Sequence, residues 1–211
     1  MSTPVLADNA LISLEEVREA LFLEDTETRD DNFLVRTINR VSARIETYCK
    51  RKLFPARMYT EYYDGDALSG ELLIDNPPIH MVSGIWDDPN VAWDSNTLIL
   101  SGNYTFEPEE GTIRLLKFLS SERFFSRGTQ NVKVVYSGGF EEVPVDLADA
   151  ALDWVLTKYR QAKDKTHGYT SKSSGGGGVS IDTDEMPKSV KGNLAKYRFF
   201  DFGRNDIGGR L

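Results

Sequence analysis

The stretch DNFLVRTINRVSARIETYC, residues 31–49, contributes most to the predicted fold. Its apolar residues recur at alternating spacings of four and three, which is the period of an amphipathic helix with one buried face. These residues are Leu34, Ile38, Val41, Ile45 and Tyr48. The basic run at 50–52 follows where the helix dipole favours positive charge, and Pro55 prevents continuation. The pattern predicts a helix over residues 31–49.

Two more helices are predicted on either side of this stretch. Ser13 and Glu16 form a capping-box pattern, which predicts a short helix over residues 13–23. Residues 146–163 carry a second apolar stripe at helical spacing, formed by Leu147, Ala150, Ala151, Trp154 and Val155. Because alanines allow close approach, we expect this helix to pack against residues 31–49.

Residues 57–140 have the character of strands. Short runs rich in aromatic and branched residues alternate there with turn signals such as Asp64-Gly65 and Asn76-Pro77. The runs are 58–63, 72–74, 79–86, 97–100, 112–116 and 132–136. They predict a small antiparallel sheet of five or six strands, inserted between the long helices.

The chain after the second long helix is polar and then rich in glycine. Four glycines occupy positions 175–178, and no Gly-Lys-Ser/Thr follows, so a flexible linker is favoured over a phosphate-binding loop. We therefore predict a core over residues 1–165, a linker over 166–185 and a C-terminal arm over 186–211. The predicted fold class is α+β, with a core of long packed helices, an inserted small antiparallel β-sheet and a flexible C-terminal arm.

The charge is distributed unevenly along the chain. The net charge is −8, which argues against broad affinity for nucleic acid because such binding requires many Lys and Arg on phosphates. Residues 187–211 hold six basic and two acidic side chains, a net +4, which leaves −12 for residues 1–186. An acidic body with a basic tail predicts that the tail meets an acidic surface or DNA.

The basic tail also contains an aromatic cluster, Phe199-Phe200-Asp201-Phe202. Exposed aromatic side chains are unfavourable in water, so this cluster is expected to dock. It either binds another protein or folds back onto its own chain, and residue chemistry does not choose between these, because aromatics fill both interfaces and cores.

Catalytic and metal-binding motifs are not evident in the sequence. The two histidines, His80 and His167, have no ligand spacing around them, and Cys49 has no cysteine partner. We predict no enzyme activity, no cofactor and no metal. No run of about 20 apolar residues is present and the start lacks a signal-peptide pattern, so we expect no membrane contact and synthesis in the cytoplasm.

A row of basic residues lies one turn apart on the 31–49 helix, at Arg36, Arg40 and Arg44. Such a row either faces DNA or is a solvated, ion-paired helix face, and the second interpretation is favoured.

Several stretches together resemble a known family. They are LISLEEV (11–17), RIETYCKR (44–51), LIDNPPI (73–79), GTIRL (111–115), VKVVYSGGF (132–140), VPVDLADA (143–150) and MPKSV (186–190), followed by Leu194 and Tyr197-Arg198. Their order and spacing resemble the head–tail connector proteins of tailed bacteriophages, also called adaptor or head-completion proteins. The glycine-rich linker and the extension after Arg198 depart from that pattern.

The resemblance implies a structural role. A connector of this family binds beneath the portal protein as a ring, expected to be a dodecamer, and genomic DNA passes through it without sequence-specific binding. A stopper or tail protein binds below. The expected location is the head–tail joint of the virion, after assembly from the host cytoplasm. The alternative is a stopper or tail-completion protein of the same neck region.

The C-terminal arm is the predicted portal-binding site. The residues assigned to it by hypothesis are Pro187, Val190, Leu194, Tyr197, Arg198, Phe199, Phe200 and Phe202. No catalytic residue is assigned.

Overall fold

The computed structural model describes residues 4–24, 26–116, 123–164, 171–174, 177–180 and 186–199. The chain divides into two compact units. The helical unit comprises residues 1–51 and 144–211, and the sheet unit comprises residues 52–143. The sheet unit is therefore an insertion between two parts of the helical unit.

Four α-helices lie in the described part of the helical unit. They are α1 (Leu14–Ala20), α2 (Asp31–Cys49), α3 (Val145–Lys163) and α4 (Lys188–Leu194). The capping box of α1 is present, because the Ser13 hydroxyl accepts from the Glu16 N–H and the Glu16 carboxylate accepts from the Ser13 N–H. Helix α2 has the bounds expected from its apolar period.

Helix α2 packs against α3, and most residues of the two predicted apolar stripes are buried. Leu34, Ile38 and Ile45 of α2 are fully buried, as are Ala150 and Ala151 of α3. Asp30 joins the far ends of the pair: its carboxylate accepts from the Tyr159 hydroxyl at 2.7 Å and lies 2.7 Å from the Lys163 ammonium. These bonds lower the pKa of Asp30, so the carboxylate stays ionised.

Seven strands form two antiparallel sheets in the described part of the sheet unit. They are β1 (Arg57–Gly65), β2 (Glu71–Leu73), β3 (Ile79–Asp87), β4 (Leu98–Ile99), β5 (Tyr104–Glu107), β6 (Thr112–Leu115) and β7 (Gly128–Gly138). The larger sheet has the order β1-β7-β3-β4, and the smaller has the order β2-β6-β5. The last strand of this unit, β7, thus lies between two earlier ones.

The two sheets share one hydrophobic core. Ile85, Val132 and Val134 of the larger sheet and Ile113 of the smaller one are fully buried in the same cluster. A polar network at its edge is centred on Glu61, whose carboxylate accepts from the hydroxyls of Tyr63 and Tyr136. Each of these hydroxyls is thereby paired, as a stable interior requires.

The Glu61 network also fixes the turn that enters β3. The Asn76 side-chain amide donates to Glu61 at 2.7 Å, its carbonyl accepts from the Lys52 N–H at 2.6 Å, and its backbone N–H donates to the Tyr136 hydroxyl at 3.2 Å. Burial, followed by the nearby Glu61 charge, raises the pKa of Tyr136, so this phenol stays protonated and can donate.

The structure corrects the predicted fold class. The α+β class is right, but a core of long packed helices with a small inserted sheet is wrong. The strands form two sheets with a hydrophobic core of their own, rather than one small sheet of five or six strands on a helical core. Strand β5 was missed, because its four residues pair only after the chain has folded.

The C-terminal part of the predicted fold also needs correction. The described residues 186–197 do not form a flexible arm, because α4 packs against α3 and buries Val190 and Leu194. Between α3 and α4, Ser171–Ser174 and Gly177–Ser180 pair as a two-stranded antiparallel hairpin, β8 and β9. No helix in the described ranges is long and apolar enough to cross a membrane.

The close contact of α2 and α3 yields a stability prediction. Ala151→Leu inserts three carbons at a fully buried position of α3, so we expect the free energy of unfolding to fall by about 1–3 kcal/mol. The matched control is Ala43→Leu, the same change at an exposed position of α2, expected to stay within about 0.5 kcal/mol of wild type. Urea denaturation followed by circular dichroism at the helical band measures both. Equal effects of the two changes would contradict close packing at Ala151.

Candidate functional site

The candidate site is the C-terminal segment, defined as residues 186–199, which contains all but two of the predicted binding residues. Its apolar residues are spaced to lie on one side of α4 and the 3₁₀ turn that follows, Ala195–Tyr197. Met186, Val190, Leu194 and Tyr197 are buried on this side. Pro187 is the N-cap residue of α4. The segment is therefore a packed element of the helical unit.

Asp146, in the first turn of α3, holds the end of the segment. Its Oδ1 accepts from the Tyr197 hydroxyl at 2.6 Å, and its Oδ2 lies 2.5 Å from the Lys196 ammonium. Partial burial opposes ionisation, but the bonds from Lys196 and Tyr197 outweigh it and keep the pKa of Asp146 below its usual value of 3.8. One ionised carboxylate thus binds two consecutive residues of the segment.

Tyr197 completes this attachment. Burial, together with the adjacent Asp146 carboxylate, raises the pKa of Tyr197, so the phenol remains protonated. A protonated hydroxyl is the form that donates to a carboxylate, and a hydrogen bond to a charged acceptor is stronger than a neutral one. The ring is buried while its hydroxyl is paired, which satisfies both parts of the side chain.

The segment then passes the C-terminal end of α2. The Phe199 N–H donates to the Cys49 carbonyl at 2.8 Å, which satisfies one of the carbonyls left open at a helix end. The Arg198 guanidinium lies 5.6 Å from the centre of the Tyr48 ring, a cation–π contact. Arg198 is exposed and Phe199 is half-buried.

Cys49 is buried next to this part of the segment. Tyr197 and Arg198 are close enough to interact electrostatically with its thiol. Burial raises the pKa of Cys49 to about 11, so the thiol is protonated and unreactive at neutral pH. Cys49 is thus a buried structural cysteine.

The structure separates the predicted binding residues into three groups. Val190, Leu194 and Tyr197 are buried inside the subunit. Pro187 and Phe199 are half-buried, and Arg198 is exposed. Phe200 and Phe202 lie outside the described residues. Of the aromatic cluster at 199–202, only Phe199 is described, and it lies against the C-terminal end of α2 in its own chain.

Sequence reasoning missed the residues that hold the segment. An acidic residue in the first turn of a helix is common because it favours the helix dipole, so Asp146 carried no special signal. Tyr48 was assigned to the buried face of α2, yet it is only half-buried and its ring receives Arg198. Asp146 contacts Lys196, and Tyr48 contacts Arg198. Because the members of each pair are far apart in the sequence, both roles became visible only in the folded chain.

The other candidates from the sequence have ordinary surroundings. His80 lies in β3, and its Nε2 is 2.6 Å from the Gly139 carbonyl oxygen. Arg36, Arg40 and Arg44 are exposed on α2. Among the residues that the structure describes, no group of three His, Cys, Asp or Glu side chains is placed to hold a metal ion.

Comparison with protein families decides where this chain belongs. Residues 10–200 match the sequence model of the family described as head completion protein. The chain belongs to that family. This confirms the resemblance to the bacteriophage head–tail connector, or head-completion, proteins. Comparison with curated protein sequences gave no match.

Solved structures share the fold of this head completion protein. A chain in the neck of an empty gene transfer agent (GTA) particle, computed with C6 symmetry, matches with a TM-score of 0.55 and 16% identity, over 94% of this chain and 95% of that one. A chain in the neck of the native particle, computed with C12 symmetry, gives 0.54 and 16% over 95% and 96%. A chain in the native GTA virion gives 0.55 and 15% over 95% of each. At this identity the likeness concerns the fold.

The single cysteine offers a direct test of the attachment at Asp146. Asp146→Asn removes the charge that binds Lys196 and Tyr197, so the segment should open more often and expose Cys49. We expect labelling of the native protein by a thiol reagent to be about fivefold faster, corresponding to ~1 kcal/mol for a partly exposed pair. Asp149→Asn, an exposed position on the same helix, is the control. Equal labelling rates for all three proteins would show that Asp146 does not hold the segment.

The lowered pKa of Asp146 also predicts a pH dependence. A carboxyl whose folded-state pKa is depressed adds stability above its unfolded-state pKa of about 3.9, and this stability is lost as the pH falls through the folded-state value. The difference in unfolding free energy between wild type and Asp146→Asn should therefore be constant from pH 7 to about pH 5 and shrink toward about pH 3. Urea denaturation across this range measures it. A difference that grew on acidification would contradict the assignment.

Proposed function

We propose that this head completion protein is the adaptor of a tailed-phage neck. It binds beneath the portal as a ring, extends the DNA channel and joins the head to the tail at the head–tail joint of the virion. The match to the head completion family over residues 10–200 carries this proposal. The GTA necks that share the fold were computed with six- and twelvefold symmetry, which supports a ring of twelve subunits here.

The anchored C-terminal segment supports portal binding by the residues that follow it. Its buried face is attached to α3 and its end to α2, so Arg198 and Phe199 are held at a defined position. The chain continues as Phe200-Asp201-Phe202-Gly203-Arg204. Val190, Leu194 and Tyr197 then hold the segment in place, while Pro187, Arg198, Phe199, Phe200 and Phe202 contact the portal.

Avidity lets a short contact of this kind join two rings. Arg and aromatic side chains dominate binding hot spots, because they bury large areas with defined geometry. Each subunit would supply one modest contact, and a ring supplies twelve that act together, so the effective affinity exceeds that of one contact by orders of magnitude.

The charge distribution fits a conduit for DNA. Residues 1–186 carry −12, so the body would repel a phosphate backbone and gain nothing from counterion release. DNA would then pass through the channel without sequence-specific binding. The net positive charge of the chain's tail, residues 187–211, faces a protein surface and not DNA in this proposal.

Sedimentation with the portal ring of the same phage tests the adaptor role. The full chain should bind, and a chain ending at Phe199 should bind at least about tenfold more weakly, equivalent to ~1.4 kcal/mol per site. Ending at Phe199 keeps Val190, Leu194 and Tyr197 in the helical core, whereas an earlier end point would also remove buried residues. Replacing Phe200 and Phe202 by alanine in the full chain should reproduce the loss, and Lys188→Ala, at an exposed basic position of α4, should bind as wild type.

A stopper or tail-completion role is the alternative outcome of the same experiment. A protein of that kind would fail to sediment with the portal ring and would bind the adaptor or tail complex instead. Binding to the portal that survives removal of residues 200–211 would leave the adaptor role intact and exclude the aromatic tail as the contact.

A further inference from the structure

Phe22, just after α1, is both strained and exposed. Its φ is +55°, in the left-handed region, and 93% of its surface is accessible. The backbone there closes α1 as a Schellman motif, with the Phe22 N–H bonded to the Glu19 carbonyl and the Leu23 N–H to the Arg18 carbonyl, both at 3.0 Å. Glycine is preferred at this position because any side chain is strained there.

The turn that carries Phe22 is fixed by Arg18. Its guanidinium donates to the Glu24 carbonyl at 2.6 Å, to the Glu27 carbonyl at 3.0 Å and to the Asp31 carboxylate at 2.5 Å. The phenyl ring is therefore presented from a defined backbone. A single exposed apolar residue is ordinary. An aromatic ring that is exposed at a strained position is different, since the subunit alone gains nothing from it.

One face of the larger sheet carries a cluster of aromatic side chains, against which an aromatic ring such as that of Phe22 can pack. We define the aromatic platform as Tyr62, Trp86, Trp93, Leu98 and Lys133. Tyr62 of β1 pairs in register with Lys133 of β7, Lys133 with Trp86 of β3, and Trp86 with Leu98 of β4, so these four form one row across the sheet. The Tyr62 side chain is on the exposed face, with 42% of its surface accessible.

Trp93 packs against the Tyr62 end of this row, and its backbone is left-handed like that of Phe22. Its ring lies 5.4 Å from that of Tyr62, and its φ is +60°. The Asp88 carboxylate fixes the loop by accepting from the backbone N–H groups of Asn90, Ala92 and Trp93 at 2.7–2.9 Å. A second aromatic residue is thus kept at a strained backbone position on the surface.

The platform is cationic at its centre, and the turn with Phe22 is acidic. The Lys133 ammonium lies 4.6 Å from the Trp86 ring and 5.8 Å from the Trp93 ring. The turn exposes Glu24 and Glu27 beside Phe22, while the Arg18 guanidinium is bonded within the turn. Aromatic rings favour edge-to-face and stacked contacts, and opposite charges at the rim select the partner.

We propose that Phe22 of one subunit inserts into the aromatic platform of a second copy of this chain. The two surfaces are different patches of the same chain, so the contact is heterologous, and repeated head to tail it gives a ring when the rotation between copies closes. The proposal deepens the adaptor function and rests on its ring. Burial of the phenyl group against Tyr62, Trp86 and Trp93 would offset the strain at Phe22.

Cysteine cross-linking tests this contact. In the doubly substituted chain, Phe22→Cys with Trp93→Cys, oxidation should give a ladder of disulfide-linked multimers beyond the dimer on a non-reducing gel. Val5→Cys with Trp93→Cys is the matched control, because Val5 is 79% exposed on the same helical unit, and it should give no ladder. Native Cys49 is buried and does not contribute. The free protein and the portal-bound protein are both oxidised.

The results separate this contact from the adaptor role. A ladder in either sample supports the contact. Portal binding without a ladder overturns the contact and leaves the adaptor role intact. A ladder without portal binding supports the contact and overturns the adaptor role. A cross-link from position 22 only to the portal, or only to position 22 of another copy, also overturns the contact.

Phe22→Gly gives a second test, because it should affect the stability of the subunit and the assembly of rings differently. Removing the side chain relieves the backbone strain, so the melting temperature of the subunit should stay level or rise, while the fraction assembled into rings should fall at least about tenfold. Loss of ring assembly together with a lower melting temperature would indicate a structural role within the subunit and overturn the proposal. Unchanged assembly would overturn it as well.

Discussion

Helices α2 and α3 bury their apolar faces against each other although residues 52–143 separate them in the sequence. The two chain ends that enter and leave the sheet unit are fixed by this contact, because α2 ends at Cys49 and α3 begins at Val145. The sheet unit can therefore be an insertion with a hydrophobic core of its own. The alanines at 150 and 151 are fully buried on α3, so larger side chains there would disturb the packing of this helix.

The C-terminal segment depends on the same helix pair. It takes its anchor, Asp146, from α3 and its end contacts, Tyr48 and Cys49, from α2. A carboxylate with a lowered pKa, a protonated phenol and a buried thiol keep this attachment in one charge state at neutral pH. In the proposed contact with the portal, the residues up to Phe199 are already held in place, so this part of the segment loses little conformational freedom on binding.

Phe22 is a feature that folding of the single subunit does not explain, whereas the Trp93 ring packs against Tyr62 within the subunit. Phe22 and Trp93 both occupy left-handed backbone positions, and each is fixed there by a charged side chain, Arg18 or Asp88. Glycine at such a position would relieve the strain, so the exposed Phe22 side chain gives no benefit to the stability of the subunit by itself. The presence of Phe22 and Trp93 on surfaces of opposite charge is consistent with an assembly whose subunits meet through two different patches of one chain.

The sequence by itself determined α1, α2 and α3, the acidic charge of residues 1–186 and the family. The bounds of α2, the capping box at Ser13 and the alanine-lined face of α3 follow from periods of three and four residues, which are local. Tertiary structure alone decided the strand order β1-β7-β3-β4, the second sheet and the role of Asp146. Strand pairing joins residues such as Tyr62 and Lys133 that are far apart in the chain, and alternation of apolar residues does not specify the partner. The docked C-terminal segment was predicted to be flexible for the same reason: Val190 and Leu194 form a binding surface or a core according to what lies opposite them, and only the fold placed α3 there.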